Sequence, residues 1–240
     1  MRFIEILRKK TKDNPGTRTP IIAFLGDSVT QGCFEVSQKG TEFDTVFDSL
    51  EGYPEKVKQI LAILYPKAPV SIVNAGVNGS SAPEGYERLK RDVLNFHPDL
   101  LVVCFGLNDG NAEAEGIHTY KTALKQIFTT ARESGIETIF MTPNMMNTDS
   151  SKSPKGDIVE LLAEIFAKRQ NEGVFDAYMN AAREACEEEN VTLCDCYAIW
   201  KRMYECGVDT TSLLSNGLNH PIREMHNLFA WQLVHTILNN

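Results

Sequence analysis

IIAFLGDSVTQG, residues 21–32, is the stretch around which the chain is organised. It begins with five apolar residues, as a strand buried in a sheet does, and then turns at Gly26-Asp27-Ser28. In open α/β sheets, ligands bind beyond the carboxyl ends of the strands, so Ser28 is expected at a binding edge. A serine at such an edge acts as a nucleophile where a base reaches it. The alternative is that Asp27 or Ser28 only caps the following helix.

Four further apolar runs follow this strand, with helical segments between them. The strands are predicted at 21–25, 70–73, 100–105, 136–141 and 191–194. The helices are predicted at 51–65, 84–96, 119–134, 155–169, 174–189 and 222–238, after a short amphipathic helix near the N-terminus. Strands that alternate with helices form a parallel sheet covered on both faces. No repeat, low-complexity tract or linker interrupts the pattern, so residues 1–240 are predicted to form a single domain.

The connection at 33–50 has no sustained periodicity, although it carries Phe34, Phe43 and Phe47 among charged residues. Long connections of this kind often serve as lids or binding loops. A plain surface excursion fits the same pattern, and both interpretations stay open.

Composition excludes several classes of partner. The formal net charge of -8 argues against nucleic acid and against an anionic membrane surface, because both require a basic face. No apolar run approaches the length of a membrane span. Glu5 and Arg8 interrupt the apolar residues near the N-terminus, which is atypical of a signal peptide, so a cytoplasmic location is expected. The six cysteines include no C-x-x-C pair, so disulfides, a metal site and other cofactors are not expected. Nothing in the sequence indicates an oligomeric state.

Glycines and small polar residues stand where three of the predicted strands end. Ser28 follows the first strand, Gly76 follows the second, and Asn108 lies in Gly-Leu-Asn-Asp at 106–109 after the third. A fourth stretch, Asn-Gly-Leu-Asn-His-Pro at 216–221, precedes the last helix. In this order and spacing, the four pieces make the chain resemble the SGNH (GDSL) hydrolase superfamily across nearly its whole length.

The resemblance implies a fold and a site. The fold would be a flavodoxin-like three-layer α/β/α sandwich with a five-stranded parallel sheet. Ser28 would attack an ester carbonyl while His220 takes its proton. The backbone N–H groups of Ser28 and Gly76 and the side-chain amide of Asn108 would form the oxyanion hole.

The sequence departs from the family pattern at the catalytic acid. The family places an aspartate three residues before the histidine, and that position is Gly217 in this chain. We therefore predict that a neutral oxygen, from Asn216 or from backbone close to it, orients His220. A carboxylate from Asp195 or Asp209 is the alternative.

The function expected from this resemblance is that of a serine esterase acting on small acyl esters. Acetyl esters on carbohydrate are among the candidate substrates, and the expected partner is a small-molecule ester. Two alternatives stay open. One is a non-catalytic carbohydrate- or acyl-binding protein that has lost the acid, and the other is an acyltransferase that uses the same residues.

Overall fold

The computed structural model describes residues 2–40 and 42–239. Its strands are β1 (Ile21–Gly26), β2 (Cys33–Lys39), β3 (Glu42–Phe47), β4 (Ser71–Gly76), β5 (Leu100–Cys104), β6 (Glu137–Met141) and β7 (Thr192–Cys194). Its α-helices are α1 (Arg2–Lys12), α2 (Ser28–Gln31), α3 (Tyr53–Leu64), α4 (Ala82–Asp92), α5 (Ile117–Glu133), α6 (Asp157–Asn171), α7 (Val174–Glu189), α8 (Cys196–Glu205) and α9 (Arg223–Asn239).

Five strands form one parallel sheet in the order β4-β1-β5-β6-β7. Renumbered along the chain, this is the 2-1-3-4-5 order of flavodoxin-like folds, so the predicted fold class is confirmed. The central strands β1 and β5 are buried along their lengths because helices cover both faces of the sheet. Helices α3 and α9 pack against each other, and α5 packs between α4 and α7.

The register of the sheet brings three strand ends to one edge. Gly26 at the end of β1 stands beside Gly76 of β4 on one side and Cys104 of β5 on the other. The segments that follow these strands therefore leave the sheet side by side. Ser28, the turn after Gly76 and the Asn108 loop are all carried to this edge.

Strands β2 and β3, within the connection at 33–50, form a β-hairpin that the sequence did not reveal. Strands β2 and β3 pair antiparallel and form a separate two-stranded sheet. Phe34, at the base of the hairpin, is completely buried, whereas Phe43 and Phe47 remain about half exposed. Most of β3 faces solvent on both sides, so its sequence lacks the alternation by which a half-buried strand is recognised. Helix α8 was also not predicted.

None of the helices in the described part of the chain is both long enough and apolar enough to cross a membrane.

Candidate active site

Ser28 is the first residue of a single helical turn, α2, directly after β1. Asp27 caps this turn, because its Oδ1 accepts a hydrogen bond of 3.0 Å from the backbone N–H of Val29. Gly32 ends the turn in the left-handed region, with φ of 93°, and its N–H donates to the carbonyl of Ser28. The capping role therefore belongs to Asp27, and the hydroxyl of Ser28 is left for another partner.

That partner is His220, whose Nε2 lies 3.0 Å from the Oγ of Ser28. The two residues are 192 positions apart in the sequence. Both side chains are almost completely buried, and burial lowers the pKa of His220 below its ordinary value of 6.5. A neutral imidazole at this distance can accept the serine proton.

The other ring nitrogen, Nδ1 of His220, lies 2.9 Å from the backbone carbonyl oxygen of Phe34. A carbonyl only accepts, so Nδ1 carries the proton and Nε2 presents a lone pair to Ser28. The acceptor is thus a neutral oxygen, but it comes from the base of the β2–β3 hairpin rather than from the neighbourhood of Asn216.

Asn216 has a different task from the one expected. Its Oδ1 accepts hydrogen bonds of 2.9–3.0 Å from the backbone N–H groups of Leu218, Asn219 and His220. The side chain therefore shapes the turn that carries His220 and makes no hydrogen bond to the imidazole. The prediction that Asn216 orients the ring is wrong in that respect, because its oxygen is already used by the backbone.

The two alternative carboxylates lie elsewhere. Asp195 accepts hydrogen bonds from Arg183, from Thr142 and from the first turn of α8. Asp209 pairs with Lys152 on the surface. Neither carboxylate is among the hydrogen-bond partners of His220.

Gly76 is required for packing. Its N–H donates to the Oδ1 of Asn74 over 3.0 Å, so the N–H expected in the oxyanion hole is already engaged. A Cβ at Gly76 would lie 2.2 Å from the backbone nitrogen of Gln31, so only glycine lets β4 approach α2 this closely. The structure does not support Gly76 as an oxyanion donor.

The next glycine in the same turn, Gly79, differs from Gly76 in this respect. It has φ of 78°, and no hydrogen bond occupies its N–H within the described residues. The N–H of the preceding residue, Asn78, donates to the Oε1 of Gln31 over 2.7 Å, which holds the turn against α2. In the sequence, this residue is the second glycine of Gly76-Val77-Asn78-Gly79.

Asn108 reaches the same turn from the β5 side. Its Nδ2 donates to the carbonyl of Ser80 over 3.0 Å, which uses one of its two amide hydrogens. The second amide hydrogen of Asn108 and the backbone N–H of Ser28 have no partner in the described residues.

Arg88 links the ends of β1 and β4, since its guanidinium donates to the carbonyls of Gly26 and Ala75 over 2.8 and 2.6 Å.

Two carboxyl groups are buried beneath this edge. Burial raises the pKa of Asp27 from 3.8 to about 7 and that of Asp109 from 3.8 to about 6. The hydrogen bonds that backbone N–H groups donate to these carboxyl groups lower the pKa by a smaller amount. Asp109 accepts from the N–H of Ala82, at the start of α4. Both groups therefore hold their protons to a higher pH than an exposed aspartate does.

A groove of about 570 Å³ opens beside Asn108. Its walls come from the start of α4, from the segment between β5 and α5 and from the first turn of α5, and they include Ser81, Pro83, Asn111 and Tyr120. Several polar groups therefore stand next to Asn108 in a concave surface.

The described part of the chain contains no group of three His, Cys, Asp or Glu side chains placed as metal ligands. Cys194 and Cys196 are both buried, with their sulfurs 3.8 Å apart, and all six cysteines are free.

The sequence pattern of the GDSL-like Lipase/Acylhydrolase family matches residues 24–228. Among curated proteins, an acetylxylan esterase from Geobacillus stearothermophilus is 30% identical over 89 residues. That match covers 37% of this chain and 39% of the esterase, so it spans about two fifths of the relative's length.

Solved structures share the fold over almost the whole chain. A catalytic mutant of Axe2, an acetylxylan esterase from Geobacillus stearothermophilus, aligns with a TM-score of 0.67 at 19% identity, covering 91% of this chain and 94% of its own. The lipase/acylhydrolase from Enterococcus faecalis aligns with a TM-score of 0.64 at 22% identity, covering 91% of this chain and 95% of its own.

Proposed function

This chain belongs to the GDSL-like lipase/acylhydrolase family, and from that membership we propose that it is a serine esterase that hydrolyses small acyl esters. The observation that carries the proposal is the Ser28–His220 pair. Its Oγ–Nε2 distance is 3.0 Å, and the remote nitrogen of the imidazole is fixed on a carbonyl oxygen. A nucleophile within hydrogen-bond reach of an oriented base is the arrangement that acyl transfer requires.

The proposed reaction has two halves. In the first, Ser28 Oγ bonds to the ester carbonyl carbon while its proton passes to Nε2 of His220. The tetrahedral intermediate then collapses, and His220 returns that proton to the departing alcohol. In the second half, a water molecule repeats the attack on the acyl-serine with His220 again as base, which releases the acid and restores the hydroxyl.

The oxyanion of each intermediate needs donors that are already in place. We assign this task to the backbone N–H groups of Ser28 and Gly79 and to the free amide hydrogen of Asn108. All three groups lie at the carboxyl edge of the sheet and lack other partners in the described residues. Loss of one such donor typically lowers kcat by about 10²–10³-fold.

For the substrate class we propose acetyl esters of carbohydrate. The support is the likeness to acetylxylan esterases together with the groove beside Asn108, which is lined by amide and hydroxyl groups. Acetate release from acetylated xylo-oligosaccharides should exceed release of longer acids from the corresponding esters. Faster turnover of octanoyl than of acetyl p-nitrophenyl esters would contradict this assignment.

The test of the reaction uses p-nitrophenyl acetate and a fluorophosphonate probe. Wild-type protein should turn over the ester and take up one probe on Ser28, whereas Ser28→Ala should do neither. The matched control is Ser134→Ala, because Ser134 is exposed at the end of α5, far along the chain from the site. Wild-type protein that is folded yet hydrolyses no ester would instead support the non-catalytic binding function.

A further inference from the structure

The acceptor that orients His220 sits on an element that the main sheet does not hold. Strands β2 and β3 pair only with each other within the described chain, and β3 is largely exposed. A carboxylate acceptor is attracted to the imidazolium by its charge. A carbonyl oxygen carries no net charge, so its hydrogen bond to the imidazole depends on the position and orientation of the carbonyl group. The geometry of His220 therefore depends on how firmly the base of the hairpin is fixed.

A β-bulge at the base of the hairpin frees the acceptor carbonyl. The pairing runs from Cys33 opposite Phe47 to Val36 opposite Thr45, so Phe34 and Glu35 together stand opposite one residue of β3. In a bulge of this kind, the extra residue leaves the ladder and the strand bends locally. The carbonyl of Phe34 is consequently available to Nδ1 of His220.

The Phe34 ring packs against the buried, neutral side chain of His226. Its centroid is 4.9 Å from that of His226, whose Nδ1 accepts a hydrogen bond from the N–H of Tyr53. Burial lowers the pKa of His226 to about 3, so this imidazole carries no charge near neutral pH. This contact supports the ring, but it does not hold the backbone of residue 35.

Arg223, three residues after His220, contacts Phe34 and Glu35 from the segment that carries His220. Its guanidinium carbon lies 4.2 Å from the centre of the Phe34 ring, and its two terminal nitrogens lie 2.5 and 3.2 Å from the two carboxylate oxygens of Glu35. Its Nε is 3.6 Å from Asp48, just after β3. Arg223 follows His220 by three residues, so one side chain binds both bulged residues to the segment that carries the base.

We propose that Arg223 is a positioning residue, which with Glu35 holds the Phe34 carbonyl on Nδ1 of His220 and so keeps the imidazole in its reactive tautomer. The proposal rests on the esterase function proposed above. An ordinary exposed ion pair contributes little to stability. This one combines a bidentate contact, a cation–π contact and a second carboxylate at a single arginine, and the planar guanidinium is the group that can make all three.

The test compares Arg223→Gln, Arg223→Lys and Glu35→Gln with the control Arg202→Gln, which removes an exposed arginine paired with Glu205 on α8. Arg223→Gln should lower kcat by about 10-fold to 100-fold with KM unchanged, because misplacement of a catalytic group affects the chemical step. Arg223→Lys should recover only part of the loss, since an ammonium group neither stacks nor binds both oxygens. Glu35→Gln is the milder variant, and it keeps the test valid if Arg223→Gln does not fold.

The second measurement is the tautomer of His220, observed by ¹⁵N NMR of the imidazole. In wild-type protein and in Arg202→Gln, the proton should reside on Nδ1. In Arg223→Gln, the signals should move towards a mixture of the two tautomers. An unchanged tautomer, or a kcat equal to that of wild type, would overturn the proposal. The NMR result does not depend on turnover, so it separates failure of this proposal from failure of the proposed esterase function.

Discussion

Asp27, one residue before the proposed nucleophile, is the buried carboxyl group whose replacement tests the electrostatics of the site most directly. Its side chain is completely buried, and its Oδ2 has no hydrogen-bond partner within the described residues. Its Oδ1 accepts from the N–H of Val29, a bond that an asparagine oxygen can also make. Asp27→Asn therefore removes the ionisable group and retains the cap of α2.

The magnitude follows from the shift of the pKa. In the folded chain, burial raises the pKa of Asp27 from 3.8 to about 7. Between these values the unfolded chain has lost the proton while the folded chain still holds it, so the free energy of unfolding falls as pH rises. The slope is about 1.4 kcal/mol per pH unit, which amounts to about 3 kcal/mol between about pH 5 and pH 8. Above the folded pKa the stabilisation from the bound proton is lost.

The assay is urea unfolding followed by tryptophan fluorescence at both pH values. Wild-type protein should lose about 3 kcal/mol more than Asp27→Asn on going from the lower to the higher pH. The control is Glu164→Gln, which removes an exposed carboxylate from α6 and sets the baseline for a change of net charge alone. Parallel pH dependence in wild type and Asp27→Asn would show that Asp27 does not hold its proton in the folded state, and would refute the reasoning.

Two further outcomes concern the chemistry. Asn108→Ala should lower kcat by about 10²-fold or more with little change in KM, because the amide acts mainly on the oxyanion. If the variant keeps the wild-type kcat, Asn108 is only a turn residue that donates to the Ser80 carbonyl. The acidic limb of the kcat/KM profile should lie below pH 6.5, because burial lowers the pKa of His220 and no carboxylate contacts its ring. A limb at or above that value would indicate an acidic partner for His220.

The features that could be predicted from the sequence are those in which the type of a residue indicates its place in the fold. The five parallel strands are apolar runs, and four pieces at strand ends or before the last helix carried the family resemblance. Ser28 and His220 were singled out in this way, and the structure brings them within hydrogen-bond distance. The match of the family pattern to residues 24–228 confirms the family.

Two features of the site could not be found in the same way. The Phe34 acceptor is a backbone carbonyl, a group that every residue possesses, so no residue type marks it. The hairpin that supplies it is mostly solvent-exposed, and it lacked the periodicity of a core strand. The choice between Gly76 and Gly79 required knowledge of which N–H was already engaged, and only the contact with Asn74 decides that.

The local geometry also explains why no carboxylate occupies the family position for the acid. Gly217 has φ of 64°, a conformation that favours glycine. A Cβ there would lie 3.1 Å from Pro154 and 3.2 Å from the carbonyl of Lys152, so an aspartate is opposed by both strain and crowding. Asn216, one position earlier, is committed to the backbone of the turn.

In the proposed reaction, the imidazolium formed at His220 is therefore stabilised at Nδ1 by a neutral dipole. A hydrogen bond from an imidazolium to a neutral carbonyl lacks the attraction between two opposite charges that a carboxylate adds. Proton transfer from Ser28 thus receives less help at His220 than in a full Ser-His-Asp triad, and the oxyanion donors must supply a larger share of the transition-state stabilisation. In the proposed reaction, the Phe34 carbonyl replaces the aspartate in orienting His220, while Asn108 acts separately on the oxyanion; both Arg223 and Asn108 should therefore be sensitive positions.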